Sequence, residues 1–213
     1  EEGTFNFTPW LWSTGATSYD INNDNGIKAL TLVKDLVDAG SMSKEVINWT
    51  QGDVMNQFIS GNIAMMVNGP WQVPTMREQA PDLNWDVTLL PKDAEYASCL
   101  GGENFGVIDG DNVDAALDFL QFATSKDEVA SYIDDFGYIA ARKDVAEGQF
   151  TDDETMQKFT EEMQYAQPRG PHAQWPEISD ALSLAVNESI TGTSAPADAA
   201  AKAQSTIDGI LAE

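Results

Sequence analysis

Apolar residues recur with the helical period over residues 25–39, where Ile27, Leu30, Val33 or Lys34, and Val37 fall on one stripe. Asp24 can cap the start of this helix and Gly40 ends it. A second helix is predicted over 53–60, with Val54, Phe58 and Ile59 as its apolar positions and Gly61 as its stop. The stretch Ile63-Ala64-Met65-Met66-Val67 reads as a buried strand, and Asn68-Gly69-Pro70-Trp71 turns the chain, with Pro70 suited to a first helical position. A short helix, a loosely alternating strand over 85–90 and a Pro91-Lys92-Asp93 turn come next. Gly101-Gly102 interrupts the chain before a predicted strand over 104–108. Helices are predicted over 113–123, capped by Asn112 or Asp111, and over 126–136, ending at Gly137. The last third reads as helices over 153–166, 176–187 and 196–211, with a Pro-rich loop over 168–175. The aromatic opening, from Phe5 to Gly15, reads as irregular, because Pro9 disfavours helical backbone at Thr8. Dominant helices with a few short strands, alternating only in the middle, argue for an α/β fold over a sandwich or a bundle.

Charge narrows the partners. The 213 residues carry 11 Lys and Arg against 35 Asp and Glu, a net charge of −24. Such a surface repels phosphate backbones and anionic headgroups, so neither nucleic acid nor a membrane surface is an expected partner. No apolar run approaches the roughly 20 residues that span a bilayer. The one cysteine and one histidine exclude an intrachain disulfide, a zinc finger, a Cys/His cage and a CxxC pair. No metal or cofactor is expected. Cys99 reads as a small buried residue. The chain opens Glu1-Glu2-Gly3 with no initiator Met and no leader-like segment. A removed leader or a piece of a longer protein is therefore expected.

Catalytic signatures are missing. There is no G-x-S-x-G elbow, H-E-x-x-H pair or P-loop, and adjacent carboxylates such as Glu161-Glu162 and Asp134-Asp135 fit solvated helix faces. The protein is not expected to be an enzyme. The tryptophans are more telling. Trp10 and Trp12 flank one loop, Trp71 follows the Asn-Gly-Pro turn, and Trp175 ends the Pro-rich loop. Sugars present flat C–H patches that pack on aromatic faces, so loop tryptophans suit a carbohydrate platform. Packing against a neighbouring loop is the alternative for each of them. Trp49 and Trp85 read as supporting residues.

The segment from Phe58 to Trp71 resembles the F-x-x-G-x-x-A-M-x-x-x-G-P-W signature of family 1 extracellular solute-binding proteins, the receptors of ABC sugar importers. Further likenesses follow in the family's order. Phe7-Thr8-Pro9-Trp10-Leu11-Trp12 with Gly15 resembles its aromatic segment, and Asp86-Val87-Thr88-Leu89-Leu90-Pro91 its strand ending in Leu-Pro. Gly101-Gly102 and Ala115-Ala116-Leu117-Asp118-Phe119-Leu120 resemble its hinge and the helix beyond, and the closing helices with Trp175 complete the pattern. Ala16 departs from it, since many members carry a second Gly there.

The resemblance implies a type II periplasmic-binding-protein-like fold, with two α/β lobes and the ligand in the cleft between them. It implies that residues 1–96 form the first part of the C-terminal lobe, that 97–147 cross the hinge into the N-terminal lobe, and that 148–213 are the closing helices of the C-terminal lobe. The helix-rich C-terminal lobe would then make only a short excursion into the other. Exposed apolar surface is expected over 97–147, with a second copy of the chain as one cover for it. The implied function is to bind a carbohydrate, expected to be an oligosaccharide, and to deliver it to the permease subunits of an ABC transporter. The implied location is extracellular, as a cell-surface lipoprotein or a periplasmic protein, touching membrane only through an upstream anchor. A receptor for a non-sugar solute, a carbohydrate-active enzyme and a lectin-like module are the alternatives. Trp71 and Trp175 are the residues expected to stack on sugar. Trp10, Trp12 and Asn6 lie in the aromatic segment; Glu103, Asn104 and Arg169 are candidate hydrogen-bonding partners for hydroxyls.

Overall fold

The computed structural model describes residues 3–212. In chain order its helices are α1 (Gly3–Ser13), α2 (Asp24–Asp38), α3 (Gln51–Ile59), α4 (Val73–Gln79), α5 (Val113–Ala123), α6 (Lys126–Tyr132), α7 (Lys143–Ala146), α8 (Glu154–Glu162), α9 (Trp175–Thr191) and α10 (Pro196–Leu211). The described sheet is one parallel pair, β1 (Ser98–Cys99) beside β2 (Ala166–Gln167), with Ser98 opposite Ala166 and Cys99 opposite Gln167.

The core lies where α9, α10, α2 and α1 pack on one another. Ile178, Leu182 and Ile190 of α9 meet Ile207 of α10 and Leu30, Val33 and Val37 of α2. Buried Ala181, Ala185, Ala199, Ala200 and Ala203 let α9 and α10 approach closely, because a methyl group fills little of the space between helix axes. Gly192, in the left-handed conformation at φ +75°, ends α9, and Pro196 opens α10. α2 is capped by Asn23, whose side chain accepts the Asn25 and Gly26 backbone N–H groups, one residue earlier than the expected Asp24. Cys99 is half-buried and packs against the same core.

The opening segment is a helix, contrary to the expectation of an irregular entry. Thr4, Phe7, Thr8, Leu11 and Trp12 recur every three to four residues and are buried on one face. Two of those five positions are threonines, so the stripe does not register as apolar. Pro9 withholds one N–H from the helix, and burial against α9 and β1 outweighs that loss. Thr4 Oγ1 lies 2.7 Å from Ser179 Oγ on α9.

The strands expected over 63–67, 85–90 and 104–108 are also corrected: among the described residues none of these segments joins a ladder. A strand pattern expresses a preference for extended backbone, and a strand forms only when another segment lies alongside it. Met65 is 86% exposed and Ile108 91% exposed. No residue of α5 is buried, and Leu117, Phe119 and Phe122 face outward with Leu100 and Phe105. Apolar surface is thus displayed over part of 97–147. The helix expected over 126–136 stops at Tyr132 and continues as a 3-10 turn over Asp134–Phe136; likewise α8 ends at Glu162 before a turn over Met163–Tyr165.

Two polar links hold the periphery. Arg77 on α4 pairs with Asp153 at the start of α8. Glu162 Oε2 accepts the Leu90 backbone N–H at 3.3 Å, tying the 85–90 segment to the end of α8.

Candidate ligand-binding site

The geometry begins at the Asn68-Gly69-Pro70-Trp71 turn. Asn68 Nδ2 donates to the Gln51 carbonyl at 2.9 Å and its Oδ1 accepts the Gly69 N–H, which anchors the turn to the start of α3. Gly69 has an extended backbone that any residue adopts, so space explains the glycine. A Cβ there would fall 2.1–2.4 Å from Cη2, Cζ3 and Cζ2 of Trp71. The indole therefore lies against the Gly69 backbone.

Trp71 sits in a row of rings. Its ring centroid is 5.9 Å from that of Phe5 on α1 and 6.3 Å from that of Tyr138. The Arg169 guanidinium lies over the other end of the row, 5.1 Å from the Phe5 centroid. Phe5 is half-buried, on α1 between the buried positions Trp12 and Pro9 around the helix axis. Gly101 lets the chain pass beside it, since a Cβ at 101 would come within 3.1 Å of the Phe5 ring. Arg169, Phe5, Trp71 and Tyr138 thus form a continuous half-buried row drawn from four separate segments.

A second aromatic group lies at the start of α9. Tyr19 meets Trp175 edge-on at 6.5 Å and His172 at 6.3 Å. A cavity of about 390 Å³ is lined by Trp12, Tyr19, Glu95, Gln167 and Arg169 among others, so that of the two groups Tyr19 and Arg169 reach it. Arg169 belongs both to the cavity and to the ring row. Planar guanidinium donors beside flat apolar rings suit a ligand with hydroxyls on its rim and C–H groups on its faces. Among the described residues no group of three or more His, Cys, Asp or Glu is placed to hold a metal ion.

The expected residues are distributed unevenly around this geometry. Trp71, Trp175 and Arg169 are brought into the two groups. Trp12 is a core residue, 7% exposed, with its indole N–H donated to Ser18 Oγ at 3.1 Å, so it lines the cavity as a fixed wall with little free surface. Asn6 and Trp10 are half-buried on α1, one helical turn apart. Glu103 and Asn104 are exposed beyond the Gly101-Gly102 break. Trp49 and Trp85 are half-buried. Phe5, Tyr138, Tyr19 and His172 were not singled out by the sequence. The available hint for Tyr138 was Gly137, a glycine directly after a helical pattern.

Residues 1–158 match the family model described as bacterial extracellular solute-binding protein. The chain belongs to that family. It is 27% identical over 207 residues to a Brucella abortus (strain 2308) protein named "putative binding protein", a match that covers 91% of this chain and 50% of that one. It is also similar to an ABC transporter solute-binding protein from Thermotoga lettingae bound with α-D-tagatose, with a TM-score of 0.83, 26% identity, and coverage of 98% of this chain and 56% of that one. The maltose-bound T. maritima MalE3 has the same TM-score of 0.83 at 22% identity, with coverage of 97% and 57%, and shares the fold. The fold class is that of the type II periplasmic binding proteins. The chain spans about half the length of the relatives it matches.

Proposed function

We propose that this chain supplies one wall of a carbohydrate-binding cleft in the receptor of an ABC importer. The observation that carries the reading is the row of Arg169, Phe5, Trp71 and Tyr138 beside the Tyr19, His172 and Trp175 group. Aromatic rings bind C–H faces, and Arg169 with neighbouring polar groups binds hydroxyls. The tagatose-bound relative supports a sugar as ligand. In this reading residues 1–96 and 148–213 belong to one lobe, 97–147 cross toward the other, and the receptor works outside the cytoplasmic membrane. Ligand held by both lobes favours the closed state, which the permease recognises. The sugar leaves chemically unchanged.

Tryptophan fluorescence of the full-length gene product tests this. The panel is tagatose, glucose, maltose, maltotetraose, a polyamine and glycerol phosphate. Saturable quenching or a spectral shift with a sugar is expected, and chromatography should recover that sugar intact. A response only to the polyamine or the phosphate ester would overturn the reading, and so would recovery of a hydrolysed sugar.

A further inference from the structure

Tyr138 is held in place from both sides. Gly137 ends the 3-10 turn Asp134–Phe136 with φ +67°, a conformation that favours glycine. It is also wedged against the Trp71 turn: a Cβ at 137 would lie 2.7 Å from the Pro70 carbonyl oxygen and 2.8 Å from Pro74 Cδ. On the far side, Gln149 Nε2 donates to the Tyr138 carbonyl at 3.1 Å, and Gln149 Oε1 accepts the Ala140 N–H at 2.8 Å. The backbone around Tyr138 is thereby fixed to the element that carries Trp71. The ring itself is half-buried and belongs to neither core cluster. Beyond it, exposed Phe136 continues the row at 6.4 Å.

We infer that Tyr138 is a specificity-determining residue that receives the second ring of a glycosidically linked sugar whose first ring stacks on Trp71, and that Gly137 is the positioning residue that seats it. This rests on the carbohydrate reading above. Two rings held 6.3 Å apart at 49° match a ligand of two linked rings with a bend between them, because each sugar ring needs its own face. A single-ring sugar satisfies Trp71 alone. Backbone held in place before binding on both sides of Tyr138 lowers the ordering cost that a mobile segment would add.

The test measures dissociation constants of the full-length gene product for glucose, tagatose, maltose, maltotriose and maltotetraose, with Tyr138→Ala, Tyr138→Phe and Gly137→Ala. Tyr138→Ala is expected to weaken the multi-ring sugars about fivefold to tenfold while single-ring sugars shift less than about twofold. Tyr138→Phe, which keeps the ring, should restore near-wild-type binding, and Gly137→Ala should follow Tyr138→Ala. Equal binding of every sugar by wild type and Tyr138→Ala overturns the assignment, as does equal weakening of single- and multi-ring sugars. Wild-type binding of single-ring sugars alone overturns it while leaving the carbohydrate reading intact. Binding of none of the five sinks both.

Discussion

The Arg77 guanidinium donates two hydrogen bonds to the Asp153 carboxylate, at 2.7 and 2.8 Å, joining α4 to the first turn of α8. Asp153 has a second duty, since its Oδ1 accepts the Met156 backbone N–H at 3.1 Å as the helix cap. Asp153→Ala removes both and should destabilise by about 1 kcal/mol more than Arg77→Ala, which leaves the cap. Chemical denaturation of the two variants checks the order.

The same pair sets a pH dependence. The Arg77 hydrogen bonds, helped by the Met156 N–H, hold the Asp153 carboxyl below the usual carboxylate range. Its folded pKa lies below the unfolded one, so the stabilisation is present above the unfolded value and is lost as pH falls through the folded value. Stability measured from about pH 6 down to about pH 2 should therefore fall less steeply in Arg77→Ala than in the wild type.

Glu162 should behave in the opposite sense. Burial pushes its carboxyl up, against the opposing effect of the Leu90 N–H and the Ser98 side chain, and Glu161 adds repulsion. Its Oε1 is buried without a hydrogen-bond partner among the described residues. With the folded pKa above the unfolded one, ionisation costs stability as pH rises through that interval, and the loss persists at neutral pH. Glu162→Gln should therefore be at least as stable as the wild type at neutral pH. The difference between the two should vanish in acid; a larger deficit for the variant at neutral pH contradicts the assignment.

Thr8 presents a similar unpaired group on α1. Its hydroxyl is buried and has no partner among the described residues. Thr8→Val keeps the shape and removes the unsatisfied oxygen, so the variant should gain about 1 kcal/mol in urea denaturation. A loss of stability would show that the hydroxyl has a partner after all.

At the candidate site, Gly69→Ala should displace the Trp71 ring, because the added methyl would occupy the position of the indole. Sugar binding is expected to weaken about fivefold or more, as in Trp71→Ala, with little change in melting temperature. Parallel titration and thermal denaturation separate a local effect from misfolding.

Helices were the legible part of the fold. The spans predicted at 113–123 and 196–211 match α5 and α10; Pro196 starts α10 as expected, whereas Asn112 precedes α5 without a side-chain capping hydrogen bond. The aromatic entry was misread, since its buried face includes Thr4 and Thr8, which count as polar in any pattern. The three strand signals at 63–67, 85–90 and 104–108 concerned pairing with other segments, which no local pattern contains. At the candidate site, Trp71 and Trp175 were singled out through the family likeness. Tyr138 and Phe5 were not, because their relation to Trp71 exists only after three distant segments meet.

The contact between Gly69 and Trp71 also bears on stereochemistry. With the glycine backbone closing off one side of the indole, anything that stacks there approaches from the opposite side. The two faces of a pyranose differ in which hydroxyls stand axial, so a one-sided platform is a chiral test. Epimers that differ at a single carbon would press either hydrogen or hydroxyl onto the ring. Under the carbohydrate reading proposed above, the missing methyl at residue 69 would leave a sugar one indole face to meet, and the binding of epimers would report which of its own faces it presents.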